Sequence, residues 1–172
     1  MSNWYVIQVR GGYEEKIVKQ CELLIDKEIL EECFIPKYKQ LIKKEGKWKE
    51  TEQILFKGYL FLISDQVNEL FMQLKKIPDL TKMLGRVEKE IYPIQDQEVE
   101  FLKTFGKEDH VVDMSVGYIT GDKIVVREGP LKGKEGSIKK IDRHKRIAFI
   151  EVEFLGEVRE AKVGLEIIAK NI

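Results

Sequence analysis

Ile54-Leu55-Phe56-Lys57-Gly58-Tyr59-Leu60-Phe61-Leu62-Ile63 is the stretch that decides the fold. Aromatic and branched apolar residues dominate it, and it is far too short to span a bilayer. It reads as a central strand. Gly58 interrupts the run and predicts a bend or bulge, with Phe56 and Tyr59 on either side of it.

Upstream, Trp4-Tyr5-Val6-Ile7-Gln8-Val9-Arg10 is a second β-rich run, broken by Gly11-Gly12. Helical spacing follows, with Ile17, Cys21 and Leu24, joined by Ile25 and Ile29, on one face. Glu14 and Glu15 fall in the first turn, where the helix dipole favours anions. Cys33-Phe34-Ile35-Pro36 returns to extended structure. A polar, lysine-rich stretch from Lys37 to Glu50 then predicts a solvated hairpin with Gly46 at its tip; its sizeable apolar members are Tyr38, Leu41, Ile42 and Trp48.

Downstream, Val67, Leu70, Phe71 and Leu74 recur at helical spacing. That helix should end by Ile77-Pro78, because proline pushes its predecessor out of the α region. Asp96 is placed to cap a short helix carrying Val99 and Leu102. These elements predict an α+β domain over residues 1–106, an antiparallel sheet flanked by helices.

Periodicity lapses from Phe105 to Gly117, which places a linker over 107–116. Beyond it the chain reads as short strands between glycine turns: Lys123 to Glu128, then Gly129-Pro130, Gly133 and Gly136, then Ser137 to Ile141, Ile147 to Phe154 and Val158 to Val163. Phe149, Glu151 and Glu153 should share one face of their strand by period-two alternation. This spacing predicts a small all-β barrel over 117–172.

The 172 residues suffice for two small domains, with 43% hydrophobic and 35% charged residues and a formal net charge of zero. The charge is unevenly spread: a net −3 before Gly117 becomes +3 from there on, so an anionic partner would meet the C-terminal part. Cys21 and Cys33 lack metal-ligand spacing and read as reduced thiols. The first residues lack a basic region followed by an apolar run, so no signal peptide, no membrane association and a cytoplasmic location are expected. Enzyme chemistry is not expected. His110 and His144 stand without a serine or cysteine in a recognisable frame. Gly129 to Glu135 fails as a phosphate loop, having three residues between its glycines and no hydroxyl after Lys134. No metal or cofactor site is predicted.

The order of these motifs resembles the NusG family of transcription elongation factors over nearly the whole length. Trp4 to Gln8 with Gly12-Tyr13-Glu14 is similar to the family's first strand and helix start. Leu55 to Phe61 is similar to its phenylalanine-proline-glycine-tyrosine strand, and Gly121-Asp122 through Gly136 is similar to a KOW module of SH3-like barrel type. Within the family, the lysine-rich KOW stretch resembles the specialised antiterminator paralogs, the LoaP branch above all. Two departures from the family pattern stand out, and the second favours such a paralog. Lys57 stands where the family usually has proline, and Leu155 replaces a phenylalanine that contacts a ribosomal protein in general members.

The resemblance implies a monomeric binding protein whose first domain grips the clamp helices of the RNA polymerase β′ subunit. Trp4, Gln8, Phe56 and Tyr59 are the candidates for that grip; on residue type alone Phe56 and Tyr59 read as core aromatics, while Trp4 suits core and groove equally. Arg10, Lys82 and Arg86 are candidates for contact with the non-template DNA strand. Lys139, Lys140, Arg143, His144, Lys145 and Arg146 bracket a turn between two strands and are candidates for binding a nascent RNA hairpin. An ordinary charged turn is the alternative for this cluster. The alternative for the whole chain is a general elongation factor whose KOW domain binds a termination factor or a ribosomal protein.

Overall fold

The computed structural model describes residues 2–80 and 91–170. The chain forms two compact units. One comprises Met1–Ile35 with Phe56–Val99, the other Pro36–Leu55 with Glu100–Ile172.

The first unit is built on a four-stranded antiparallel sheet in the order β2-β5-β1-β6. Here β1 is Asn3–Gln8, β2 Glu32–Phe34, β5 Tyr59–Ser64 and β6 Ile91–Pro93. Only the part of the apolar run after Gly58 supplies the central strand, with Phe61, Leu60 and Leu62 fully buried. The expectation of one strand over 54–63 is corrected: Ile54 ends the strand Lys47–Ile54 of the other unit, and the chain turns at Gly58, φ +83°, before β5 begins. In β1 and β5 the register Gln8↔Tyr59, Val6↔Phe61 and Trp4↔Ile63 sets one face, and the intervening pairs set the other. On that second face lie Tyr5, Ile7, Leu60 and Leu62, all buried.

Helix α1 (Glu14–Leu24) packs on this sheet through Ile17 and Cys21, and α2 (Val67–Leu74) is anchored by Leu70 and Leu74. The expected face of α1 needs one correction. Leu24 is 52% exposed, because the helix ends there and Ile25 turns extended and occupies the buried position instead. A second correction concerns α3, Asp96–Gly106: Asp96 is already its first helical residue. Glu98 does the capping, accepting a 3.1 Å hydrogen bond from the Gln95 N–H as in a capping box.

The second unit contains the lysine-rich hairpin. β3 (Lys37–Lys44) and β4 (Lys47–Ile54) pair antiparallel, and β7 (Val111–Val112) adds in parallel to β3. Glu45 and Gly46 both have positive φ, 52° and 78°, the geometry of a type I′ hairpin turn, so Gly46 does sit at the tip. A five-stranded sheet follows in the order β10-β11-β12-β8-β9. These strands are β8 Ser115–Thr120, β9 Lys123–Glu128, β10 Ile138–Asp142, β11 Ile147–Phe154 and β12 Glu157–Lys170. The stretch read as a linker therefore holds β7 and the first residues of β8.

The alternation predicted for β11 is present: Ala148, Ile150, Val152 and Phe154 are buried, while Glu151 and Glu153 are exposed on the face of Phe149. β12 changes partner along its 14 residues, pairing antiparallel with β11 up to Gly164 and parallel with β8 from Leu165. Among the described residues no helix is long and apolar enough to cross a membrane.

Candidate functional site

Three of the four residues expected to meet the polymerase lie on one face of the first sheet. Trp4, Gln8 and Tyr59 share it by the β1–β5 register, together with Val6, Phe61 and Ile63. Phe34 joins them, since it pairs directly with Phe61. The rings form a row. Trp4 meets Phe34 edge-on at 5.3 Å, Phe34 stacks on Phe61 at 5.5 Å, and Phe61 lies 6.2 Å from Phe56. Phe34, Phe56 and Phe61 are buried, Trp4 and Tyr59 are half-buried, and Gln8 is exposed. Phe56 thus braces this face from within, while Trp4, Tyr59 and Gln8 present its outer part.

The bend that carries Phe56 and Tyr59 is held by Glu14. Its carboxylate accepts hydrogen bonds from the Gly12 N–H at 2.7 Å and from the Gly58 N–H at 2.9 Å. The Gly58 carbonyl in turn accepts the Val9 N–H at 2.8 Å. Gly58 has φ +83°, a conformation that side chains rarely adopt, so the bend favours glycine. Burial raises the Glu14 pKa, but the backbone donors of Gly58, of Glu14 itself and of Gly12, with the Lys57 cation, outweigh it. The carboxyl is held below its ordinary value and is ionised at neutral pH.

Of the DNA candidates, Arg10 is exposed, with its guanidinium 5.0 Å from the Tyr13 ring centroid. Lys82 and Arg86 lie outside the described residues.

The six C-terminal candidates gather at and beside the β10–β11 connection but do not act alike. Lys139 pairs with Glu151 at 3.1 Å, and the Lys140 ammonium lies 4.4 Å from the Phe149 ring centroid. Asp142 accepts the Lys145 N–H at 3.0 Å and shapes the turn, leaving Arg143, His144 and Lys145 exposed at its tip. Arg146 has φ +58° and is drawn back. Its guanidinium lies 3.6 Å from the Trp48 ring centroid and 3.8 Å from Glu166. Among the described residues, the outward cations free of a carboxylate partner in this cluster are therefore Lys140, Arg143 and Lys145, with His144 exposed among them, fewer than the sequence run suggests.

Comparison with known proteins agrees with this architecture. The family model described as transcription termination factor nusG matches residues 2–103, and the KOW motif matches residues 120–153. The chain belongs to the NusG family. The transcription termination/antitermination protein NusG of Staphylococcus aureus strain Mu50 is 25% identical over 174 residues, covering 97% of this chain and 94% of that protein. The NusG of strain N315 gives the same figures. Among solved structures, one described as domain interaction in Thermotoga maritima NusG matches with a TM-score of 0.54 and 20% identity. It covers 97% of this chain and 94% of that one, a likeness of fold.

Two residues of this NusG-family chain were not singled out as site residues by sequence reasoning. Phe34 links Trp4 to Phe61, but only the β2–β5 pairing brings it there. Trp48 was visible as an aromatic in a polar hairpin and stays 41% exposed, yet its position over Arg146 depends on tertiary packing.

Proposed function

We propose that this NusG-family protein is a cytoplasmic, monomeric elongation and antitermination factor. Its first domain seats the Trp4, Gln8 and Tyr59 face on the β′ clamp helices of RNA polymerase, with Phe56 beneath. The observation that carries this reading is the sheet face on which Trp4 and Tyr59 stand half-exposed beside Gln8, with the rings of Phe34, Phe61 and Phe56 packed in a row behind Trp4. Such a face suits an amphipathic helix laid into an apolar groove. Binding there stabilises the closed, processive state of the clamp, and Arg10 lies toward the non-template strand. No chemistry is performed and no cofactor is needed.

The functional boundary in this reading remains 1–106 and 117–172, joined through 107–116. The second domain is a KOW barrel of SH3-like type, a reading supported by the change of partner along β12. Its exposed turn, Arg143 to Lys145, binds the phosphates of a nascent leader RNA hairpin, as in an antiterminator of the LoaP branch. Two modest contacts on one chain reinforce each other through effective concentration.

A general factor whose KOW domain binds a termination factor or ribosomal protein is the second reading. The pairing of Lys139 with Glu151 and of Arg146 with Glu166 favours it, because each phosphate contact there would compete with a carboxylate. The test is co-purification of the full-length protein and its Tyr59→Ala variant with RNA polymerase, followed by transcription through a terminator with and without an upstream leader hairpin. Read-through that needs both Tyr59 and the hairpin supports antitermination. Read-through or pausing effects indifferent to the hairpin support the general factor.

A further inference from the structure

The β3–β4 hairpin and the β10–β11 turn lie side by side within the second unit. The Gln40 side-chain amide donates to the Lys145 carbonyl at 3.3 Å, and Arg146 stacks on Trp48. At Gly164 of β12 a Cβ would collide with the Lys39 carbonyl oxygen and the Met114 sulfur, so the hairpin backbone lies against the sheet at this point. The contact brings two basic segments together. The hairpin tip carries Lys43, Lys44, Lys47 and Lys49, all exposed, offset by Glu45 and Glu50; the turn adds Arg143, His144 and Lys145, offset by Asp142. Trp48 stands at the junction, 41% exposed.

We propose that the hairpin tip and the KOW turn form one composite RNA surface, on which Trp48 stacks an unpaired base and the flanking cations hold the phosphates on either side. The proposal rests on the RNA reading of the KOW turn given above and enlarges that site with a stacking residue and a second set of cations. The physical case is the combination of parts. Arg146 covers one face of the indole and fixes its orientation, so the solvent-exposed part of the ring is a pre-set platform. Lysines alone would read only the charge of a duplex, whereas an exposed indole among them selects an RNA with an unstacked base, such as a hairpin loop. Arg146 is thus a positioning residue. This gives the Arg146–Trp48 contact a use that a structural ion pair with Glu166 does not.

The experiment titrates full-length protein with three probes: an RNA stem-loop with an unpaired uridine loop, a blunt RNA duplex with the same number of phosphates, and the DNA form of the stem-loop. The RNA stem-loop is expected to bind best and to quench tryptophan emission. Trp48→Leu should lose that quench and weaken stem-loop binding about tenfold, the scale of one stacked base. Trp48→Phe should recover most of the affinity, which a purely structural role for the indole would not predict. Lys44→Ala with Lys47→Ala should lower the salt dependence of binding by a log–log slope of about 1.5, as for two lost phosphate contacts. Equal binding of the duplex or of DNA overturns the proposal, as does wild-type affinity in Trp48→Leu. If Arg143→Ala with Lys145→Ala then weakens binding while the hairpin variants do not, the KOW reading survives alone. If neither set matters, both readings fail.

Discussion

Glu14 Oε2 accepts the backbone N–H of Gly58 at 2.9 Å, tying the start of α1 to a bend 44 residues away in sequence. The other carboxylate oxygen holds Gly12, so one side chain fixes both the entry to the helix and the bend between Phe56 and Tyr59. Glu14→Ala should therefore cost about 2–3 kcal/mol, as for a buried, charge-assisted pair of hydrogen bonds whose donors are left without a partner. Thermal denaturation monitored by circular dichroism checks this, and an unchanged melting curve would refute it.

The same carboxylate gives the protein an acid-sensitive element. Its folded-state pKa is depressed below the ordinary carboxyl value, so its stabilisation is fully present above the unfolded value and is lost as pH falls through the folded one. Wild type should exceed Glu14→Gln in stability at neutral pH, and the gap should close as the medium becomes acidic. Urea melts of the two proteins across that range provide the measurement. A gap that is constant with pH would assign the effect to packing instead.

Phe56 and Tyr59 should separate in mutagenesis although only Lys57 and Gly58 lie between them. Phe56 is 7% exposed and packs on Phe61, so Phe56→Ala should destabilise the first unit by about 3–5 kcal/mol. Tyr59 is half-buried, so Tyr59→Ala should leave the melting temperature nearly unchanged while weakening polymerase binding by about 2 kcal/mol. Melting curves set beside a polymerase binding titration show whether the two losses divide this way.

At the KOW turn, Arg143→Ala and Lys145→Ala should each lower the salt slope of RNA binding by about 0.7–0.9. Lys139→Ala should do less, because Glu151 already holds that ammonium at 3.1 Å. Filter binding at a series of salt concentrations reads the slopes directly. Equal slopes for all three variants would contradict the division of the cluster into exposed and paired cations.

Cys21 and Cys33 are free thiols, both buried. The hydrogen bond to Cys21 and burial push the Cys33 thiol well above its ordinary pKa. Its reactive thiolate is correspondingly scarce at neutral pH. Alkylation by iodoacetamide should therefore be slow in the native protein and fast in denaturant, as followed by mass spectrometry. Rapid native labelling at Cys33 would show that β2 opens readily.

Much of this was legible along the chain because it depends on local pattern. The apolar residues 59–63 yield a central strand, though the run from Ile54 is divided by the bend before Tyr59, and Glu45-Gly46 makes a tight turn because glycine tolerates positive φ beside a residue that accepts it. Period-two alternation alone puts Trp4 and Gln8 on one face of their strand. What failed locally has local causes too. Leu24 fits the helical period but is the last residue of the helix, where Ile25 turns extended and takes the buried position, and Asp96 fits a cap but is already the first helical residue, while Glu98 bonds back to the Gln95 N–H.

The sequence by itself determined the element types, the two-part α+β and β-rich order, the motifs of the NusG family and the residues that could carry binding. Periodicity, turn chemistry and residue type are one-dimensional properties, so one dimension suffices to read them. Only the tertiary structure decided that Phe34 joins Trp4 to Phe61, that Glu14 clamps Gly58, and that Arg146 turns from the basic run toward Trp48 and Glu166. Each of those relationships is a contact between residues distant in the chain. Its geometry is set by strand register and close packing rather than by any neighbour in sequence.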